Sequence, residues 1–141
     1  MNKPPVVIVD ADAIIAQTNP EDIHHQRAGV ISRNLIKMNA RVIYPATAVV
    51  EAVTHMQRVL NSTVSAYKTA QLMSGADAQI AEISKQTITT ALEYFGPTTS
   101  KKNTLFDCIV AAVAQKHKAD AIFSFDRFYV KKGFKLAENL K

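Results

Sequence analysis

The order of apolar segments in this 141-residue chain predicts an α/β domain of three layers, α/β/α, around a mainly parallel central sheet. Three observations carry that prediction. Val6–Val9 is a short, continuous β-branched run, as in a strand buried on both faces. Strand and helix patterns then alternate over short connections: strand, helix, strand, several helices, strand. Finally, an acid ends both the first and the last clear strand. Asp10 follows Val6–Val9 and Asp126 follows Ala121–Phe125. In sheets of this kind ligands bind beyond the carboxyl ends of the strands, so both acids would face that edge.

After the first strand, Thr18-Asn19-Pro20-Glu21 reads as a helix start, with Pro20 near the first helical position and Glu21 in the first turn; the helix extends to about Leu35. Arg41–Tyr44 predicts a second strand, closed by Pro45. Thr47 caps a helix to about Leu60, with Val49, Val53, Met56 and Leu60 as its apolar stripe. Asn61–Ser65 is a polar break, Ala66–Met73 a further helix, and Ser74-Gly75 its end. Residues 76–95 admit two readings, a short strand at Gln79–Ile83 followed by a helix to Phe95, or helix throughout. Gly96–Asn103 is a loop, Leu105 to about His117 a helix, Ala121–Phe125 a strand and Gly133–Leu136 a last short strand. No repeat, linker or low-complexity segment divides the chain, so residues 1–141 read as one domain.

Apolar residues at 48% and charged residues at 21% place the chain in the globular range. No apolar run approaches the roughly 18 residues of a membrane span. Asp10 and Asp12 interrupt the N-terminal apolar run, which argues against a secretory leader. The one cysteine, Cys108, excludes an internal disulfide and any multi-thiolate metal site, and reads as a small buried apolar residue. Together these features point to a cytoplasmic protein. The net charge is +5; if four of the 12 acids share one pocket, the rest of the surface is more basic than that total. Such a surface suits a polyanion such as nucleic acid, although a modest positive charge is also ordinary in proteins that bind none.

Four carboxylates sit where a carboxylate is awkward unless it holds a cation: Asp10, Glu51, Asp107 and Asp126. If they converge, their mutual repulsion calls for a metal, and an all-oxygen site suits Mg²⁺ or Mn²⁺. Asp107 also has a structural reading, because Thr104-x-x-Asp107 before an apolar run resembles a capping box. Glu51 lies nearly opposite the stripe of its own helix, and periodicity alone makes it a solvated residue. His55, one turn on, is either a neighbour of Glu51 at a metal or a surface residue. His24 and His25 read as exposed helix residues facing different directions. Lys101 and Lys102 lead into the Asp107 helix and Arg127 follows Asp126. These three are either phosphate contacts at the pocket rim or ordinary solvated charges.

Val9-Asp10-Ala11-Asp12, Val50-Glu51-Ala52, Leu105-Phe106-Asp107-Cys108-Ile109 and Ser124-Phe125-Asp126-Arg127 follow one another in an order that resembles the PIN-domain ribonucleases, including the toxins of VapBC-type toxin–antitoxin pairs. The resemblance covers nearly the whole chain. It implies a PIN-like fold and a metal-dependent endoribonuclease with Asp10, Glu51, Asp107 and Asp126 as the catalytic, metal-binding acids. It places Ser124 as the hydroxyl preceding the last acid, oriented to the same side as Asp126 if both lie on one strand. It further implies an RNA substrate, a separately encoded antitoxin and a homodimer. One position departs from the family pattern: a small hydrogen-bonding residue is usual two places after the first acid, and here it is Asp12. An ionised Asp accepts but cannot donate. It either joins the site as a fifth acid or accepts from a backbone N–H.

Two other functions share some of these features. Asp10-Ala11-Asp12 after an apolar strand also resembles the first motif of haloacid-dehalogenase-type phosphatases, in which the first Asp is a nucleophile and the second a general acid. That reading leaves Asp107 unexplained. A PIN-like module that binds RNA or protein without catalysis is the other, and retention of all four acids argues against it.

Overall fold

Asp10 leaves the first strand and at once opens a helix, so the first acid of the site also turns the chain. The computed structural model describes residues 3–141. β1 is Val6–Val9 and α1 is Ala11–Thr18, N-capped by the Asp10 carboxylate, which accepts the Ala11 N–H at 2.7 Å. This helix is absent from the sequence-based expectation. Thr18-Asn19-Pro20-Glu21, read there as a helix start, is instead where α1 ends. The Thr18 hydroxyl donates back to the Ile14 carbonyl, the Asn19 N–H closes on Ile15, and the Asn19 side chain accepts from Glu21. Polar residues with Pro mark a helix stop as readily as a start. The next helix, α2, is His25–Lys37.

β2 is Arg41–Pro45 and α3 is Ala46–Arg58. Pro45, not Thr47, precedes the first turn of α3; the Thr47 hydroxyl is buried and caps nothing. The buried face of α3 is Ala48, Ala52 and Met56, with Val49 and Val53 only partly covered and Leu60 beyond the helix end. Small alanines let α1 approach α3 closely, and this rotates the buried face away from the predicted valine stripe. Glu51 therefore borders the packed face rather than opposing it. α4 is Thr63–Met73, begun early by Ser62, whose hydroxyl accepts from Ser65. Between Gln79 and Ile83 the strand reading holds in shortened form, β3 at Ile80–Ala81, and α5 is Lys85–Ala91, ending before the predicted Phe95. α6 is Leu105–Lys116 and β4 is Ala121–Phe123; α7 at Phe128–Lys131 and a 3-10 turn at Ala137–Asn139 complete the chain.

The four strands form one all-parallel sheet, β3-β2-β1-β4, flanked by helices. β1 is central, with Ile8 paired to both Ile43 and Ile122. Gly133–Leu136 is not a strand; it contributes a single parallel bridge, Leu136 to Ile122, at the β4 edge. α6 is buried from Cys108 through Ala114 and packs on β1 and β2. Among the described residues no helix is long and apolar enough to cross a membrane.

Candidate active site

The β1–β4 ladder delivers Asp10. Its N–H donates to the Phe123 carbonyl at 3.0 Å, so its side chain leaves the carboxyl edge of the sheet beside the end of β4. Asp10 is only 4% exposed. One oxygen caps α1, and the other accepts the Tyr129 hydroxyl at 2.7 Å and the Ser124 hydroxyl at 3.3 Å. Tyr129, fully buried, was not singled out in the sequence, although a buried Tyr nearly always needs a partner for its hydroxyl.

β4 stops at Phe123, two residues before the predicted end, because Ser124 folds back: its Oγ accepts the Asp126 N–H at 3.0 Å. Ser124 and Asp126 are thus joined through a turn and not by shared strand facing. Ser124 is 1% exposed and sits beneath the pocket, donating to Asp10 or to Asp12, the latter at 3.0 Å. Asp126 is held by Asn103, whose amide donates at 2.8 Å, and accepts the Phe128 N–H at 2.9 Å. Asn103 also reaches Asp107 at 3.4 Å. In the sequence Asn103 is only the last residue of a polar loop, and nothing local distinguishes it.

Asp107 caps its helix as the first reading expects, and it also faces the pocket. One oxygen, Oδ2, accepts the Thr104 N–H at 3.1 Å and so caps α6, while the residue lines the acidic pocket. Asp12 accepts the Phe125 N–H at 2.8 Å with Oδ2, and its Oδ1 is buried without a hydrogen-bond partner. The backbone-acceptor reading of Asp12 is therefore realised, with one oxygen left over.

A pocket of about 260 Å³ at the carboxyl edge brings together Asp10, Asp12, Glu51, Asp107 and Asp126. Lys102 and His55 also line it; Lys101 and Arg127 are exposed and do not. The one ion pair among the described residues, Arg27–Glu138, is elsewhere, so no described Lys or Arg neutralises these acids by contact. The electrostatic result is the same for Asp10, Asp12, Glu51 and Asp107. Burial, then the charge of Asp12, holds the Asp10 carboxyl well above the usual range, against the opposing Tyr129 bond. Burial raises Asp12 despite the bond from Phe125, and raises Asp107 despite the bond from Thr104. Glu51 is pushed up to about 7 by burial and by the charges of Asp107 and Asp12.

These residues fit a hard divalent cation. The donors are all carboxylate oxygens, one buried oxygen has no partner, and every raised acid would be favoured in its charged form by an ion. Among the described residues no three acid or imidazole side chains are already closed around one point. Mg²⁺ does not require that, since it keeps several waters and binds through one or two carboxylates.

Two histidine readings need correction. His24 is half-buried and stacks on Phe125, with ring centroids 4.3 Å apart, and the half-buried His25 ring bonds the Ala16 carbonyl at 2.6 Å. Cys108 is buried as expected.

The fold and site define an α/β/α domain with an acidic cleft at the carboxyl edge of a parallel sheet. Within that class, the family model for the PIN domain matches residues 7–135, and the chain belongs to the PIN-domain family. Solved structures share the fold. The toxin VapC20 of Mycobacterium tuberculosis, described as cleaving the sarcin–ricin loop, superposes with a TM-score of 0.78 at 17% identity, covering 91% of this chain and 95% of that one. FitAcB from Neisseria gonorrhoeae superposes with a TM-score of 0.67 at 15% identity, covering 95% and 99%. No curated protein matches the sequence.

Proposed function

We propose that this PIN-domain protein is a metal-dependent endoribonuclease that hydrolyses RNA phosphodiester bonds, and that it is the toxin of a toxin–antitoxin pair. The observation that carries the reading is the pocket itself: five acids gathered at the sheet edge without a basic partner, with Asp10, Asp12, Glu51 and Asp107 raised by burial. Asp10, Glu51, Asp107 and Asp126 would hold Mg²⁺ or Mn²⁺, with Asp12 able to add its free oxygen. The bound ion would supply a water of lowered pKa and neutralise charge on the departing oxygen. The protein's own contribution is orientation. Tyr129 and Ser124 fix Asp10, Asn103 ties Asp126 to Asp107, and the Phe125 N–H holds Asp12. Lys102 at the pocket rim is placed to meet a phosphate.

The toxin assignment, with its antitoxin partner, homodimeric state and cytoplasmic location, is supported by family membership and by the fold shared with VapC20. Incubating the protein with labelled RNA in Mg²⁺, Mn²⁺ or EDTA tests the activity. Cleavage that EDTA abolishes is expected. Release of inorganic phosphate from a small ester instead would favour the phosphatase reading, and RNA binding without cleavage a catalytically inactive module. The gene immediately upstream tests the antitoxin.

A further inference from the structure

The acidic pocket does not end at Glu51. A second cleft, of about 400 Å³, shares Glu51 and His55 with it and continues along α3. Glu51, His55 and Arg58 stand at i, i+4 and i+7, one row on one helix face. The row runs from a carboxylate through an imidazole to a guanidinium over about 10 Å. Charge therefore changes sign along the cleft, away from the metal-binding end.

The walls are apolar and exposed: Val50 at 62%, Val59 at 66% and Phe106 at 41%. Phe106 immediately precedes Asp107 at the start of α6, so an aromatic ring stands one residue from an acid of the pocket. A large side chain left in water beside a charged site serves neither core nor capping. The cleft volume lies near the small end of small-molecule sites. A single helical turn, about 10 Å across and 5.4 Å long, would already fill it.

We propose that this cleft is a nucleoside subsite of the same active site. Resting on the nuclease reading, it takes the base and ribose next to the scissile phosphate of single-stranded RNA. The base stacks on Phe106 between the methyl groups of Val50 and Val59, and Arg58 meets the following phosphate. Stacking on an aromatic face is tolerant of base identity, so the subsite selects an unpaired nucleotide rather than a sequence.

The test compares two labelled probes in Ca²⁺: a short single-stranded RNA of mixed sequence, and an abasic counterpart with the same phosphates. Fluorescence anisotropy gives the affinities, and a gel verifies that the RNA stays intact. Phe106→Leu keeps apolar bulk and removes the π face. It should weaken the mixed-sequence RNA about tenfold and leave the abasic probe unchanged, with Phe106→Tyr restoring affinity. Arg58→Gln should reduce the slope of log affinity against log salt for both probes. Thermal melts matching wild type establish that the variants fold. If wild type cleaves RNA but Phe106→Leu leaves the ratio between the probes unchanged, the subsite is overturned and the nuclease reading stands. If Phe106→Leu instead alters self-association in sedimentation without changing RNA affinity, the cleft belongs to a second copy of the chain and the proposal fails. If wild type neither binds nor cleaves RNA, the nuclease reading itself falls and takes the subsite with it.

Discussion

The two sides of the acidic pocket are built differently. On the β1–β4 side Asp10 is buried and bonded by Tyr129, Ser124 and its own helix, and Asp12 and Asp126 are tied to the turn after β4. On the α3–α6 side Glu51 is half-buried, borders exposed valines, and opens into the second cleft. The first side is held by the sheet, where a shift of an ångström would disturb the core. The second is held by helix faces that water reaches. On the proposed function the contrast separates two tasks: the rigid side would fix oxygen donors, and the open side would admit a ligand. Asp107 belongs to both, because capping α6 orders it while it lines the open pocket.

The largest expected effect comes from removing a fixed donor. Asp10→Asn and Asp107→Asn should each reduce RNA cleavage to the level seen in EDTA, while circular dichroism and thermal melts report an intact fold. Each replaces an anionic oxygen ligand by a neutral amide. Wild-type rates in both variants at saturating Mg²⁺ would remove the basis for the site.

Next in size is the loss of an orienting bond on the rigid side. Tyr129→Phe deletes the hydroxyl that Asp10 accepts, and Asn103→Ala releases Asp126. Each should weaken Mn²⁺ affinity, measured by calorimetry, by about 10- to 100-fold, the range for outer-shell partners of metal ligands. If affinity is unchanged while cleavage falls, these residues serve the substrate rather than the donors, and the division between the two sides is wrong.

How much of this was legible in the sequence follows the same division. Asp10 announces itself because an acid ending an apolar strand has one place to go, the carboxyl edge; Asp126, three residues beyond β4, reaches the same edge through the Ser124 turn. Asp107 is legible as the only charge opening an apolar helix. Glu51 was misplaced relative to its stripe because alanines bury more closely than valines when helices touch, and the buried face became Ala48, Ala52 and Met56. α1 was missed because it is short and directly follows the strand, with Asp10 serving as both strand terminus and cap. Asn103 and Tyr129 act across 23 and 119 positions of chain, and no local pattern encodes such partners.

On the open side the effects are smaller and concern the ligand. Lys102 lines the pocket, whereas Lys101 and Arg127 are exposed and do not. Lys102→Ala should lower the salt slope of RNA binding by about 0.7, the value for one phosphate contact on a single strand. Lys101→Ala and Arg127→Ala should leave it unchanged. Equal effects from all three would mean a diffuse basic surface and no defined rim.

The smallest effect is a pH signature of Glu51 in the metal-free protein. Its folded pKa of about 7 lies above the ordinary 4.5, chiefly through burial and then through the charges of Asp107 and Asp12. Between those values the folded state keeps a proton that the unfolded state has lost. Stability then falls as pH rises through the window, and the contribution is fully present only below 4.5. Glu51→Gln removes the titration, so in EDTA its melting temperature should decline less steeply across that window than that of wild type. At the upper end the variant should be at least as stable, because the repulsion with Asp107 and Asp12 is gone. Adding Mn²⁺ reverses the order. An ion that binds only the folded state stabilises it by mass action, and wild type, with the ionised carboxylate as a donor, should gain more. Asp107 and Asp12 interact with Glu51, so the difference between the two curves reports Glu51 together with its repulsion by these neighbours. Identical pH profiles with identical responses to Mn²⁺ would place Glu51 outside the electrostatic cluster. The open side would then be a substrate cleft alone, with the metal held entirely by the side the sheet fixes.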